Sequence, residues 1–346
     1  MGFWAQYGLF LIQLFSVLLM GVLLVMLVAR ARGRGARGTR QDWQFESLNQ
    51  TVQTSADALA RQVLDDRAWK RRQKQQSEDA KARKKTASTE PQVFVLSFTG
   101  DLRASAVEAL REEITVVLSV ARPAEDEVLL LLESPGGLVT AYGLAAAQLA
   151  RLRVAGIRLT VAVDKVAASG GYMMAAVADH IVAAPFAVVG SIGVVAQLPN
   201  VHRLLQRHEI DIELHTAGQY KRTLTVLGEN TEEGREKFRM QLNETHDLFK
   251  AFLQQYRPVL DLSVVATGEY WFGQQALALN LVDELATSDA WISARLATHQ
   301  FTRVRKMART TWLQRVRGEA QAAVTEATEQ LWDRWRHKLE DPQEKI

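Results

Sequence analysis

Three glycine-rich turns contain residues whose types and spacing suit covalent chemistry. They are Glu133-Ser-Pro-Gly-Gly137, Ala168-Ser-Gly-Gly-Tyr172 and Val189-Gly-Ser-Ile-Gly193. The first turn places two glycines just before a predicted helix, so that their backbone amides can point at a developing oxyanion without side chains intervening. An ordinary strand-to-helix turn has the same composition, so any chemistry here requires a nucleophile and a base.

Ser169 is the candidate nucleophile, because it follows a predicted strand at 158–163 and precedes a helix that begins near Gly170. The positive end of that helix dipole would stabilise a nearby negative charge. A serine in this position is usually only a helix N-cap, so a role as nucleophile requires an activating base. The seven histidines are interpreted as surface or capping residues, since they lie at a strand start or in polar segments.

Lys221 is the remaining candidate base, in the segment Ala217-Gly-Gln-Tyr-Lys-Arg222. An ordinary lysine amine is protonated at neutral pH, so general-base chemistry requires apolar surroundings that favour its neutral form. Tyr220 and Leu224 are among the residues that could supply such surroundings. An exposed lysine on a loop is the alternative interpretation.

Composition and charge exclude several classes of protein. The 346 residues are 47% hydrophobic and 23% charged, which excludes a disordered or collagen-like chain. Its 42 basic and 39 acidic residues leave a net charge of +3, so the charge balance gives no indication of a nucleic-acid partner. The absence of cysteine excludes disulfide bonds, cysteine nucleophiles and cysteine-ligated metals.

Strands and helices alternate along the chain, which predicts an α/β fold whose parallel sheet is covered on both faces. The predicted strands are 92–98, 128–132, 158–163, 181–183, 188–195 and 210–216. The predicted helices are 104–120, 138–151, 231–256 and 288–298. The three glycine-rich turns fall where predicted strands end, which is where open α/β folds usually build their sites.

Residues 1–31 are predicted to form a transmembrane anchor with a basic flank. The 23 residues from Tyr7 to Ala29 carry no charge and are long enough to cross a hydrocarbon layer of about 30 Å. A cleavable signal peptide is the alternative, because Ala29-Arg-Ala31 matches a cleavage pattern. The apolar run is too long for one, however, and no charged side chain precedes it. Membrane lipid is therefore an expected partner.

The rest of the chain is predicted to divide into three parts. Residues 32–90 form a charged spacer that is partly helical or disordered, 91–300 form the catalytic domain, and 301–346 form an amphipathic helical tail. The spacer matches a dinucleotide-binding pattern at Gly33-Arg-Gly-Ala-Arg-Gly38. It follows a membrane span and not a strand, so we interpret it as a basic linker.

Four motifs in order, Ser-Pro-Gly-Gly, Ala-Ser-Gly-Gly-Tyr, Gly-Ser-Ile-Gly-Val and Gly-Gln-Tyr-Lys, resemble those of the membrane-bound Ser/Lys-dyad peptidases of the signal peptide peptidase A family. The anchor, spacer and single catalytic module resemble its SohB branch most closely. The resemblance covers about residues 91–300. It implies a ClpP/crotonase-like spiral of βαβ units, no metal or organic cofactor, and a homo-oligomer in which neighbouring subunits complete the sites.

The resemblance also implies roles for individual residues. Ser169 would be the nucleophile, Lys221 the general base, and Ser191 a hydroxyl that orients the lysine amine. The amides implied for the oxyanion hole are those of Gly136, Gly137 and Gly170. The implied activity is endopeptidase cleavage of peptides or signal-peptide remnants at the bacterial inner membrane. Arg222 after the lysine departs from many relatives and leaves the local subsite shape open.

Two questions stay open at this stage. The resemblance implies a catalytic domain in the periplasm, whereas five arginines between residues 30 and 40 favour the cytoplasmic side. A crotonase-like enzyme acting on an acyl thioester is an alternative function, although Glu133 is the only acid in the three turns. A membrane scaffold with an idle dyad is the other alternative.

Overall fold

The computed structural model describes residues 42–86 and 90–307, together with Phe15, Ser16 and Met20. Residues 43–306 form one compact unit, to which all features below belong. Within the described ranges, every helix is too short or too polar to cross a bilayer. The predicted anchor, but for those three residues, and the predicted tail beyond residue 307 lie outside the described residues.

The described chain contains ten strands in two sheets. These are β1 (Trp43–Ser47), β2 (Gln92–Thr99), β3 (Glu127–Glu133), β4 (Arg158–Val163), β5 (Val166–Ala168), β6 (His180–Ala183), β7 (Val188–Gly190), β8 (Tyr270–Phe272), β9 (Glu284–Leu285) and β10 (Gln300–Lys306). The larger sheet has the order β1-β10-β2-β3-β4-β6-β9 and is parallel except at the β1·β10 edge. The smaller sheet has the order β5-β7-β8, with β8 antiparallel to β7.

Helices connect these strands and cover both faces of the larger sheet. They are α1 (Leu48–Val63), α2 (Asp66–Thr86), α3 (Val107–Leu118), α4 (Val139–Val154), α5 (Gly170–Ala176), α6 (His202–Arg207), α7 (Glu232–Tyr256), α8 (Leu262–Val265), α9 (Gly273–Ala278) and α10 (Ser288–Arg295). Successive side chains of a strand point to opposite faces. Accordingly, Leu96 and Phe98 of β2 join the larger hydrophobic cluster, whereas Val93 and Val95 join a smaller one with Trp291. The predicted α/β fold with a covered parallel sheet is confirmed.

Three parts of the chain differ from the sequence prediction. Residues 301–306, the start of the predicted helical tail, belong instead to strand β10 and pair with β1 and β2. The predicted strand at 210–216 is wrong, because Ile210, Ile212 and Leu214 alternate with polar residues but are exposed and pair with no described strand. Conversely, part of the predicted spacer is ordered as β1, α1 and α2, and β1 extends the main sheet through β10. An alternation of apolar and polar residues thus predicts a strand only where a partner strand is available.

The buried Arg257 forms an ion pair with the partly solvent-exposed Asp283, which ties the end of α7 to the start of β6. Two guanidinium nitrogens donate to the Asp283 carboxylate at 2.8 and 3.0 Å, and the Ile181 N–H donates to it at 2.8 Å. Burial raises the pKa of Asp283, but the hydrogen bonds from Arg257 and Ile181 outweigh burial and hold the pKa below its ordinary value of 3.8.

We expect Asp283→Asn to lower the free energy of unfolding by about 1–2 kcal/mol at pH 7. It leaves the buried Arg257 without its counter-charge, and the solvent exposure of Asp283 reduces the loss below that of a fully buried pair. The folded-state pKa lies below the unfolded value, so the stabilisation is fully present above about pH 4 and is lost as pH falls through the folded pKa. Urea denaturation of the full chain at pH 7 and pH 3 measures both effects. The exposed-carboxylate variant Asp211→Asn is the control, and equal losses in the two variants would contradict the prediction.

Candidate active site

Ser169 lies between β5 and α5 in a strained backbone conformation. Its φ and ψ angles are 52° and −121°, a positive-φ region that non-glycine residues rarely occupy. Two hydrogen bonds hold it there: its N–H donates to the Gly190 carbonyl at 2.8 Å, and its own carbonyl accepts from the Met173 N–H at 3.0 Å. Such strain persists only where the surroundings enforce it, and it is concentrated at functional sites.

The turn between β3 and α4 brings its glycines against Ser169. Gly136 has a φ of 89°, and a Cβ at this position would lie 2.7 Å from the Cβ of Ser169, so the turn backbone contacts the serine directly. The Gly136 N–H donates to Ser134 Oγ at 3.1 Å. By contrast, the N–H groups of Gly137 and Gly170 have no acceptor among the described residues. Two of the three predicted amides are therefore available to a ligand.

A largely apolar pocket of about 200 Å³ opens beside Ser169. Helix α7 forms one wall, with four side chains at helical spacing on one face. The lining residues from α7 are Thr245, Leu248, Phe249 and Phe252. Val139, Tyr142 and Met173 line the pocket from α4 and α5, together with Gly137, Gly170 and Gly193. The pocket is therefore suited to bind an apolar side chain next to the Ser169 hydroxyl and two amides that no described residue accepts from.

Ser191 lies in the third glycine-rich turn and has a φ of 51°. Its N–H donates to the Glu269 carbonyl at 2.7 Å, and its hydroxyl donates weakly to the Gly268 carbonyl at 3.4 Å. Two residues further on, Gly193 lines the pocket. The turn therefore belongs to the site, although the Ser191 hydroxyl bonds to backbone and not to a lysine.

Lys221 lies in an irregular, exposed segment between α6 and α7. Its backbone N–H donates to the Gly218 carbonyl at 3.1 Å, while its side chain forms no hydrogen bond or ion pair with any described residue. The side chain of Tyr220 is also exposed and lies beside Lys237, 5.3 Å from the ammonium to the ring centroid. The structure of one chain therefore does not supply the apolar surroundings expected for Lys221, and it does not bring Lys221 to Ser169.

Glu133, the acidic residue of the first glycine-rich turn, forms an ion pair with a lysine. Glu133 accepts from the Lys165 ammonium at 3.0 and 3.2 Å, in an exposed ion pair. Among the residues that the structure describes, no group of three or more histidine or acidic side chains is placed to hold a metal ion. The chemistry that the described site offers is therefore that of a hydroxyl and backbone amides.

Sequence reasoning missed two buried polar residues of the site, Ser134 and Tyr142. Their hydroxyl oxygens lie 2.7 Å apart, and the Tyr142 hydroxyl donates to the Asp101 carbonyl at 2.8 Å. The available signal for Tyr142 was weak, since it is a single aromatic residue in an alanine-rich helix. Ser134 stood within the first glycine-rich turn, but only its glycines were assigned a role.

Comparison with known proteins gives the family. Residues 2–149 match the model of Peptidase family S49 N-terminal, and residues 151–301 match Peptidase family S49. The chain is 49% identical over 311 residues to the probable protease SohB of Haemophilus influenzae, which covers 86% of this chain and 88% of that protein. It is 56% identical over 223 residues to the probable protease SohB of Buchnera aphidicola from Acyrthosiphon pisum, covering 64% of this chain and 66% of the relative.

Among solved structures, a membrane-bound stomatin-specific protease is similar at a TM-score of 0.39 and 13% identity, covering 60% of this chain and 84% of the other. That similarity is too low to support an argument about mechanism. The family models and the SohB relatives, in contrast, extend over most of the chain and include the turns that surround Ser169. The chain therefore belongs to peptidase family S49, in the SohB branch of the signal peptide peptidase A family of serine peptidases.

Proposed function

We propose that this chain is a membrane-anchored endopeptidase in which Ser169 is the nucleophile and Lys221 the general base. The observation that carries the proposal is the environment of Ser169. A strained backbone holds the serine at the start of α5 and at the mouth of an apolar pocket. It lies next to the amides of Gly137 and Gly170, which have no acceptor in the part of the chain that the structure describes. A nucleophile, two oxyanion donors and a side-chain pocket are three of the four parts that acyl transfer requires, and the fourth is a general base.

The proposed reaction has two halves. Ser169 Oγ attacks the peptide carbonyl carbon while its proton passes to the neutral Lys221 amine. The carbonyl oxygen becomes an oxyanion that accepts hydrogen bonds from the Gly137 and Gly170 amides. Collapse of this intermediate breaks the C–N bond, and the lysine ammonium gives its proton to the leaving amine. Water then attacks the acyl-enzyme with the lysine again as base, which releases the acid and restores Ser169.

The proposed enzyme is a homo-oligomer built from ClpP/crotonase-like spirals of βαβ units, in which Lys221 of one subunit reaches Ser169 of another. Two observations support this arrangement. The segment carrying Lys221 is exposed, and its side chain is unpaired within the described chain. The segment also exposes Ile210, Ile212 and Leu214, which a second subunit would cover.

The proposed location is the bacterial inner membrane, with the catalytic domain in the periplasm. The uncharged run from Tyr7 to Ala29 supports the anchor. Peptides and signal-peptide remnants are the proposed substrates, because the pocket beside Ser169 is lined mainly by aliphatic and aromatic side chains. Such a pocket favours an apolar residue next to the cleaved bond.

The proposal is tested by labelling the assembled full chain with a fluorophosphonate and reading intact masses from pH 6 to 10. We expect one adduct, mapped to Ser169 and absent in Ser169→Ala. Ser263→Ala is the matched control, because it removes an exposed hydroxyl at the start of α8 and should leave the labelling unchanged. An unlabelled native chain would contradict the peptidase proposal and favour the acyl-thioester enzyme or the scaffold.

A further inference from the structure

A chain of hydrogen bonds connects the glycine turn after β3 to the loop after β2. Tyr142 has a single hydroxyl hydrogen, which it donates to the Asp101 carbonyl at 2.8 Å. The 2.7 Å contact between the two hydroxyls must therefore be a bond donated by Ser134 to Tyr142. Ser134 Oγ in turn accepts from the Gly136 N–H at 3.1 Å. The hydrogen bonds thus run in one direction from Gly136 to Asp101.

Both hydroxyl residues are completely buried, at 0% exposure each. Each hydroxyl in this series of hydrogen bonds has a donor or acceptor partner on either side, which is the condition under which a buried polar network makes a structure more rigid. On the other side of the turn, the Leu138 N–H donates to the Leu102 carbonyl at 2.8 Å. The turn that contains Gly136 and Gly137 is therefore fixed at both of its ends to the loop after β2.

The same two residues pack against the start of α5. A Cβ at Gly170 would overlap the Tyr142 ring, and a Cβ at Gly171 would lie 2.5 Å from the Ser134 carbonyl oxygen. A Cβ at Gly100 would overlap both hydroxyl groups. Tyr142 and Ser134 therefore contact both backbone segments that carry the unpaired amides, the one ending at Gly137 and the one beginning at Gly170.

We propose that Ser134 and Tyr142 are positioning residues that hold the Gly137 and Gly170 amides in the orientation that stabilises the oxyanion. The inference rests on the proposed function of Ser169 and extends it to two residues that do not touch the reacting atoms. The Gly136 amide takes no part in the oxyanion hole, because Ser134 accepts its hydrogen. Loss of either hydroxyl frees the Gly136 amide or leaves a buried partner unsatisfied, and both changes release the turn.

The test compares Tyr142→Phe and Ser134→Ala with the native full chain, using fluorescein-labelled casein as substrate. We expect kcat to fall about tenfold in each variant with KM nearly unchanged, since a misplaced donor weakens binding of the transition state only. The double variant should be no worse than the poorer single one, because both remove the same chain of bonds.

Inhibitor binding distinguishes misplaced oxyanion donors from a general loss of structure in the variants. With the apolar peptide aldehyde acetyl-Leu-Leu-norleucinal, Ser169 Oγ bonds to the aldehyde carbon while its proton passes to the Lys221 amine. The carbonyl π bond breaks, and the product is a hemiacetal whose oxygen is an oxyanion. The corresponding alcohol, acetyl-Leu-Leu-norleucinol, occupies the same pocket without forming that bond. We expect the inhibition constant of the aldehyde to rise about tenfold in both variants, and that of the alcohol to stay within about twofold.

Tyr172→Phe is the matched control. Tyr172 is also fully buried, but its hydroxyl donates to the Leu281 carbonyl at 2.9 Å and takes no part in the hydrogen bonds that run from Gly136 to Asp101. It should lose comparable thermal stability and keep the native ratio of aldehyde to alcohol binding. A native ratio in both Tyr142→Phe and Ser134→Ala would overturn the inference. Failure of the aldehyde to inhibit the native chain more strongly than the alcohol would instead overturn the proposed function, and the inference with it.

Discussion

Lys221→Ala is expected to lower peptide hydrolysis about 10³-fold or more, with little change in the stability of the subunit. The loss follows from removing the general base, which contributes roughly 10² to 10⁴ to such reactions. Stability should be retained, because the side chain is exposed and makes no hydrogen bond or ion pair with the described residues. Initial rates on fluorescein-labelled casein, together with thermal unfolding, measure the two quantities.

Arg222→Ala is the control for this experiment, since it removes a neighbouring exposed cation. It should keep activity within about threefold, as expected for a surface charge that is not part of the chemistry. An equal loss of activity in both variants would mean that hydrolysis depends on the positive charge of this segment and not on Lys221 as a base. Full activity of Lys221→Ala would contradict the dyad.

Mixing two inactive variants tests how the dyad is assembled. Ser169→Ala subunits supply an intact Lys221, and Lys221→Ala subunits supply an intact Ser169. If the base comes from a second subunit, co-refolded mixtures should regain a measurable fraction of the native rate, while either variant alone stays inactive. No recovery in oligomers shown to contain both variants would place the two residues of a dyad in one subunit.

Gly136→Ala is expected to abolish measurable hydrolysis and to lower the free energy of unfolding by about 3 kcal/mol. Gly136 has a φ of 89°, and a Cβ there would lie 2.7 Å from both the Ala168 carbonyl oxygen and the Cβ of Ser169. The methyl group can be accommodated only if Ser169 or the glycine turn moves. Because the turn carries the Gly137 amide, that movement separates the nucleophile from its oxyanion donor. Urea denaturation and casein hydrolysis measure the two losses.

Gly156→Ala separates the backbone strain from the steric clash. Gly156 also has a positive φ, of 73°, but a Cβ there would meet only Pro123 at an ordinary 3.6 Å. This variant should lose about 1 kcal/mol from the left-handed conformation alone and keep its activity. If Gly136→Ala lost no more stability than Gly156→Ala and remained active, the close packing of the glycine turn on Ser169 would have no functional importance.

The buried strands could be predicted from sequence because their signal is local. The apolar runs predicted at 128–132 and 158–163 are found as β3 at 127–133 and β4 at 158–163. The strand β1 could not be found this way, since its sequence Trp-Gln-Phe-Glu-Ser is half polar and its partner β10 lies more than 250 residues further along the chain. The segment 210–216 shows the opposite error, in which a local pattern has no partner strand in the described chain.

The candidate site likewise contains features that could be predicted from the sequence and features that could not. Ser169 and the glycine turns could be located from sequence because their residue types and order are distinctive. The strained conformation of Ser169 could not be predicted, because a positive φ at a serine is imposed by Gly190 and Met173, which bond to its backbone. The hydrogen bond between Ser134 and Tyr142 could not be predicted either, because hydrogen bonds between a turn and the following helix leave no periodic pattern in the sequence.

The antiparallel edge of the main sheet also determines how the compact unit would respond to mechanical force. Trp43 pairs with Lys306 and Ser47 with Thr302, so both ends of the unit leave the sheet from the same end of one ladder. Tension between the two ends would therefore load a single residue pair at a time, starting at Trp43 and Lys306, and would unzip β1 at low force. The parallel strands β2, β3 and β4 would bear no load until β1 had come away, so pulling on the chain ends would spare the strands that position Ser169.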